Sequence, residues 1–326
     1  MEKRKFKPFG EISSLSLGGG GLGQIWGETT RKEAIETVNS AIENGITHFD
    51  VAPMYGKGEA ERVIGEVFKG RSIDNVFFTT KCRLGRLPDN QVYDYFNKSL
   101  TRSLDEMNMQ RVDLFLLHSQ LIEDDFVLFA NNEFRDRNST TLSSYYNAVI
   151  PALEKLKKEG KVGSWGIGGI GQNKALIQAI NYEVPPEAIQ CVINPLNSAG
   201  AIGYADEAYD PSRIFKEACK NEIPTLAIRA VQAGALTTSM DRDPHESGYD
   251  QLDFDDYLKA QPFREISKEW NETPAKLAHR YALSIEGLSS VILGVKNRKE
   301  LYECLDAEKD KKLTSTEIQT LQNLFR

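Results

Sequence analysis

The chain has 326 residues, 40% hydrophobic and 27% charged, the balance of an ordinary soluble globular protein. Its net charge of -7 disfavours nucleic acid or an anionic membrane surface as a partner. The opening run MEKRKFKPFGEISSLSL has no apolar core of signal-peptide length, and no stretch approaches the ~18 apolar residues of a membrane helix.

Apolar, strand-like runs alternate with helical patterns from end to end. The predicted strands cover 15–19, 48–52, 76–81, 112–118, 164–168, 189–194, 225–229 and 290–294. Between the first two, Ala34, Ile35, Val38, Ala41 and Ile42 form one apolar helix face, opened by Thr30 and Glu33 at capping-box spacing. Asp210-Pro211 and Thr273-Pro274 each set a capping residue before a first-turn proline, and Thr314 with Glu317 repeats the box. Eight strands separated by helices, with no linker between domains, predict a single (β/α)8 TIM barrel over residues 1–326; a doubly wound sheet is the competing architecture. The segments 119–150 and 237–262 exceed ordinary connections and are expected as loops over the barrel mouth that shape the substrate site.

Four residues at or just beyond predicted strand ends share one chemistry: Asp50, Tyr55, Lys81 and His118, in THFDVAPMYG, FFTTKC and DLFLLHS. A free phenol has a pKa near ~10 and is a poor acid at neutral pH. A neighbouring ammonium is expected to lower it, a carboxylate to hold the ammonium, and an imidazole to orient a substrate oxygen. Singly, each has a bland reading: a cap, a rim tyrosine, a solvated lysine, a satisfied barrel histidine. Four together at strand ends point to proton transfer at an oxygen.

The run GGGGLG at 18–23 satisfies G-x-G-x-x-G, but a dinucleotide fingerprint needs a helix opening inside it, and the first capped helix is expected only at Thr30. The glycines are instead expected to let the backbone approach a ligand closely. Cys82, Cys191, Cys219 and Cys304 form no CxxC pair and read as reduced thiols of a cytoplasmic protein. Four histidines without HxH or HExxH spacing argue against a metal site.

Beyond this chemistry, ENGITHFDVAPMYGKGEAERVIGE, FFTTKC, KSLTRSLDEMNMQRVDLFLLHS, IPALEKLKKEGKVGSWGIGG and TPAKLAHRYALSIEGLSSVILGVKNRKELYECL resemble, in order and spacing, the segments of an aldo-keto reductase. The resemblance runs from about Leu15 to Leu305 and implies a (β/α)8 barrel with NADP(H) or NAD(H) extended across its mouth and no metal. It casts Tyr55 as general acid/base, Lys81 and Asp50 as the pair that tunes it, and His118 as the residue positioning the substrate oxygen. It casts Gly20, Leu22, Asp50, Asn194, Arg229, Gly294, Lys296, Asn297 and Arg298 as cofactor-binding, with Trp26 and Met54 lining the substrate pocket. Lys296 with Asn297 or Arg298 suits a 2′-phosphate and favours NADP(H), and NAD(H) stays open. For Arg229, a contact to pyrophosphate or an anionic substrate competes with a structural salt bridge.

The chain departs from the family's pattern at the nicotinamide. Gly168-Gly169 stands where Ser-Asn is usual, Ile193 where a glutamine is usual, with Asn194 as its substitute, and Ile228 to Val231 where Tyr-Ser-Pro-Leu is usual. Cys304 replaces a common asparagine at the adenine end. These departures resemble the branch of L-galactose and aldose dehydrogenases. The expected activity is hydride transfer between NADP(H) and a small aldehyde, ketone or aldose. A cofactor-binding redox sensor with slow turnover is the alternative, and a metal-dependent barrel hydrolase a third.

Overall fold

The computed structural model describes residues 1–7, 9–126, 137–203 and 209–325. Eight parallel strands close into a barrel: β3 (Leu15–Gly18), β4 (His48–Asp50), β5 (Phe77–Cys82), β6 (Val112–Leu117), β9 (Val162–Ile167), β10 (Ile189–Val192), β11 (Thr225–Ile228) and β12 (Leu288–Leu293), which pairs back to β3. All eight coincide with predicted strands to within two residues at each end. The remaining strands lie outside the barrel. β1 (Lys3–Phe6) and β2 (Gly10–Ser13) form an antiparallel hairpin, and β7 (Gln120–Ile122) pairs with β8 (Ser139–Thr141).

The outer layer runs α1 (Gly19–Leu22), α2 (Arg31–Glu43), α3 (Glu59–Phe68), α4 (Val92–Met107), α5 (Ile150–Lys158), α6 (Asn173–Ile180), α7 (Pro211–Lys220), α8 (Gln251–Lys259), α9 (Gln261–Glu269), α10 (Pro274–Ser284), α11 (Arg298–Lys309) and α12 (Ser315–Asn323). Thr30, Asp210, Thr273 and Thr314 cap as their sequence positions require. The box at Thr314 and Glu317 is complete, whereas at Thr30 only half forms, because the Glu33 carboxylate turns to Arg298 instead.

Strand alternation decides which residues face the barrel axis. Phe49, Phe115, Leu117, Ile189 and Cys191 point outward into the helix layer and join the main core. Leu114, Leu116, Ala188 and Leu226 point inward at the bottom, where Phe6 and Ile12 of the hairpin cover them and Phe9 stacks on Phe77 at 4.8 Å. The hairpin thus plugs the end of the barrel at which the strands begin. Above this plug the interior is polar. His48 bridges Ser16 (2.8 Å) and Thr79 (2.7 Å), and Ser16 meets Ser290 at 2.6 Å. The same parity sends Asp50, Lys81 and His118 inward at the mouth.

The two long segments are more ordered than loops. Within 119–150 lie β7 and β8, while 127–136 fall outside the described residues; 237–262 contains α8 and the start of α9. The glycine run also differs from expectation, since a single helical turn, α1, does open inside it. Its glycines serve contacts within the protein. A Cβ on Gly21 would lie 2.0 Å from the Val295 carbonyl oxygen, and one on Gly23 would lie 2.5 Å from the Tyr55 backbone.

Candidate active site

Asp50 ends β4 and Lys81 lies near the end of β5, both facing the axis and both almost wholly buried. The Lys81 ammonium donates to the Asp50 carboxylate, to the Val51 carbonyl at 3.0 Å and to the Tyr55 hydroxyl at 3.4 Å. Tyr55 reaches this point from the turn after β4. Gly56, Lys57 and Gly58 take φ of 63°, 54° and 89°, doubling the chain back and holding the phenol over the barrel. His118 follows β6, its ring edge-on to Tyr55 with centroids 6.0 Å apart. The four expected residues therefore converge.

Their electrostatics depart from expectation at the tyrosine. Burial pushes the Tyr55 phenol up, and this outweighs the pull of Lys81 because Asp50 opposes it. Lys81 touches Asp50 more closely than Tyr55, so much of its charge is already answered. Burial pulls the Lys81 ammonium down, but Asp50 and Tyr55 more than reverse that and keep it protonated. Burial also raises the Asp50 carboxyl against the pull of Lys81. His118 is held well below the usual imidazole value by burial and by the Lys81 and Arg83 charges, and so is neutral at pH 7. The arrangement presents a protonated phenol and a neutral imidazole to an oxygen arriving from the mouth.

A further inward residue, not anticipated from sequence, completes the floor. Gln190 donates to the second Asp50 oxygen at 2.8 Å. The sequence reading set Ile193 at the glutamine position of this strand, but Ile193 lies three residues on, faces outward and packs in the main core. Gln190 was findable as the one polar residue inside the apolar run AIQCVI. Asn194 is no substitute for it: its amide donates to the Ser198 and Arg229 carbonyls (2.9 and 3.1 Å) and is spent on loop closure.

The glycine pair has a steric basis. Gly169 has φ of 61°, and a Cβ there would lie 1.8 Å from the Gln190 carbonyl oxygen, so no asparagine can occupy this position without moving β10. At Gly168 beside it, a Cβ would lie 3.3 Å from the Leu117 carbonyl oxygen and 4.0 Å from the His118 ring.

The remaining expected cofactor residues form a second cluster. Lys296 is clasped by Asp241 and Glu300, Asn297 caps α11, and Arg298 binds Glu33 through Nε (3.0 Å), Nη2 (2.9 Å) and its backbone N–H (3.0 Å). A carboxylate seated on a helix N-terminus and a guanidinium fork is a stand-in anion, so this donor set fits a nucleotide phosphate. Arg229 takes the structural option, an ion pair with Asp253 at 2.7 Å, with its side chain 7% exposed. Leu22 is buried in the core and presents no surface to a ligand. Trp26 lies across Gly20 and Gly294, its Nε1 only 2.5 and 3.0 Å from where their Cβ atoms would be, with the Arg229 and Arg242 guanidinium carbons 5.9 and 6.0 Å from its ring. Met54 is exposed beside Tyr55. Cys304 is buried against His279, 3.5 Å from Sγ to Nε2.

The model of the Aldo/keto reductase family matches residues 14–326. This chain belongs to that family. It is 22% identical to L-galactose dehydrogenase of Arabidopsis thaliana over 318 residues, covering 96% of this chain and 90% of that protein. Among solved structures, the holo form of aldo-keto reductase AKR11C1 from Bacillus halodurans superposes with a TM-score of 0.75 at 21% identity, covering 100% of this chain and 97% of that one. An aldo/keto reductase from Klebsiella pneumoniae in complex with NADP and acetate gives a TM-score of 0.67 at 18% identity, over 99% and 95% of the two chains. These likenesses carry the barrel fold. Family membership makes the protein a nicotinamide-dependent oxidoreductase of carbonyl compounds.

Proposed function

We propose that this aldo/keto reductase reduces a small aldehyde, ketone or aldose with NADPH, with Tyr55 as the proton donor. The observation that carries the reading is the triad in which one buried ammonium touches both the Asp50 carboxylate and the Tyr55 hydroxyl. The bound nicotinamide would supply the hydride to the carbonyl carbon. Tyr55, protonated at neutral pH, donates to the carbonyl oxygen as negative charge develops there. Lys81 steadies the phenolate left behind, and Asp50, anchored by Gln190, holds Lys81 in place. Neutral His118 offers a ring N–H to the same oxygen. In the reverse direction Tyr55 accepts the alcohol proton.

Lys296, Asn297 and Arg298 are assigned to the adenosine 2′-phosphate, which supports NADP(H) over NAD(H). To bind there, the phosphate must displace the Glu33, Glu300 or Asp241 carboxylate, so the preference is expected to be modest. Titration with NADPH and NADH followed by protein fluorescence, beside a panel of carbonyl and aldose substrates, tests the reading. Tighter NADPH binding with Tyr55-dependent turnover is expected. Tight binding without turnover in either direction would overturn it.

A further inference from the structure

Arginines at the mouth and along its flank are met by carboxylates: Arg62 by Glu59 and Glu106, Arg229 by Asp253, Arg242 by Asp250 and Asp253, and Arg298 by Glu33. Arg83 differs. It is half-buried and forms no ion pair among the described residues, and its guanidinium donates to the Met54 thioether sulfur at 3.3 Å. A thioether is a weak acceptor and answers little of a guanidinium's five donors. Leaving a partly desolvated cation without a counter-ion does nothing for folding, but suits a site awaiting an anion.

The backbone holds Arg83 in register with the catalytic groups. It lies two residues beyond Lys81, so strand alternation directs it to the mouth side. On either side of it the chain is pinned to the loop after β6. The Cys82 carbonyl accepts from the His118 N–H at 2.7 Å, and the Leu84 and Gly85 N–H groups donate to Ser119 Oγ at 2.9 and 3.1 Å. Its partner Met54 directly precedes Tyr55. The charge is felt at the reacting groups as well: it adds to the lowering of His118 by burial and Lys81, and it opposes weakly the rise that burial gives Tyr55.

We propose that Arg83 recognises an anionic group on the substrate, so that the preferred carbonyl compounds carry a carboxylate or phosphate a short chain away from the carbonyl. This rests on the reductase reading above and narrows it to aldehyde acids, oxo acids or sugar phosphates. The anion replaces the Met54 sulfur as acceptor and docks the carbonyl oxygen between Tyr55 and His118. Hydride addition and Tyr55 protonation then proceed as for any carbonyl, giving the alcohol and the oxidised cofactor.

The test compares matched pairs, 4-oxobutanoate with butanal and glyceraldehyde 3-phosphate with glyceraldehyde, in the wild type and in Arg83→Gln and Arg83→Lys. The wild type should favour the anionic member of at least one pair, and which pair responds tells carboxylate from phosphate. In Arg83→Gln the anionic-to-neutral ratio of kcat/KM should fall by about 10- to 100-fold, mostly through KM, with Arg83→Lys recovering part of it. An equal loss on both members, or an unchanged ratio, would overturn the assignment. If the wild type turns over neither pair, the reductase reading is decided by the wider carbonyl and aldose panel. Calorimetric binding of 4-oxobutanoate and glyceraldehyde 3-phosphate then decides Arg83 separately, and the absence of Arg83-dependent binding of either overturns it.

Discussion

The two ends of the barrel mouth are built on opposite principles. At the Tyr55 end the polar groups ride on strands or a tight turn, are buried or half-buried, and answer one another: Asp50 takes both Lys81 and Gln190. At the Lys296 end the cations ride on a strand–helix junction, are only half-buried, and are held by acidic side chains from α2, α11 and the segment before α8. The first arrangement is pre-organised and cannot rearrange without leaving a charge buried. The second is self-neutralised and must be opened by whatever binds there. On the proposed reading, reaction geometry is thus fixed by the barrel, whereas cofactor preference would be a competition at its rim.

The largest effect should come from the fixed end. Tyr55→Phe is expected to lower kcat by about 10³-fold while cofactor affinity, read by fluorescence titration, stays within a few-fold. Because burial raises the phenol pKa, reduction by the wild type should hold level to about pH 9, whereas a Tyr55-dependent fall near neutrality would mean the Lys81 charge dominates after all. Gly169→Ala should cost about 3 kcal/mol, seen in denaturant melts, since a methyl there meets the Gln190 carbonyl and the backbone is left-handed. Unchanged stability would show that β10 yields more readily than a barrel strand should.

The interior also predicts an acid limit. His48 is buried and held neutral, its pKa lowered to about 3 by burial and Lys81. The unfolded chain takes up that proton below about pH 6.5 and the folded chain does not, so stability should decline as pH falls below that value, by about 1.4 kcal/mol per pH unit for this residue. His48→Gln should flatten the decline in melts between pH 7 and pH 5. The smallest effect belongs to the rim. Glu33→Gln should free Arg298 and tighten NADPH by about fivefold with NADH within twofold, in line with an exposed ion pair. Equal gains for both cofactors would remove Arg298 from phosphate recognition.

Much of this was legible in the sequence because it depends on periodicity and order. The eight strands, the four strand-end residues and the helix caps all announce themselves within a few residues of one another. What could not be read depends on distances between remote segments. Glu33 meets Arg298 across 265 positions, and nothing local hints that a capping-box glutamate will abandon its cap. The direction of the Tyr55 shift turns on whether Lys81 lies nearer the phenol or the carboxylate. Gln190 is the instructive miss, since counting strand parity from the inward-facing core of β10 would have placed it beside Asp50 and sent Ile193 outward.

Among the described residues, the hairpin closes the bottom of the barrel with Phe6 and Ile12, which leaves the mouth as the way to the polar interior. On the proposed reading, cofactor and substrate would share the mouth as their way in. A shared entrance predicts a fixed order of arrival and departure, which product-inhibition patterns would check.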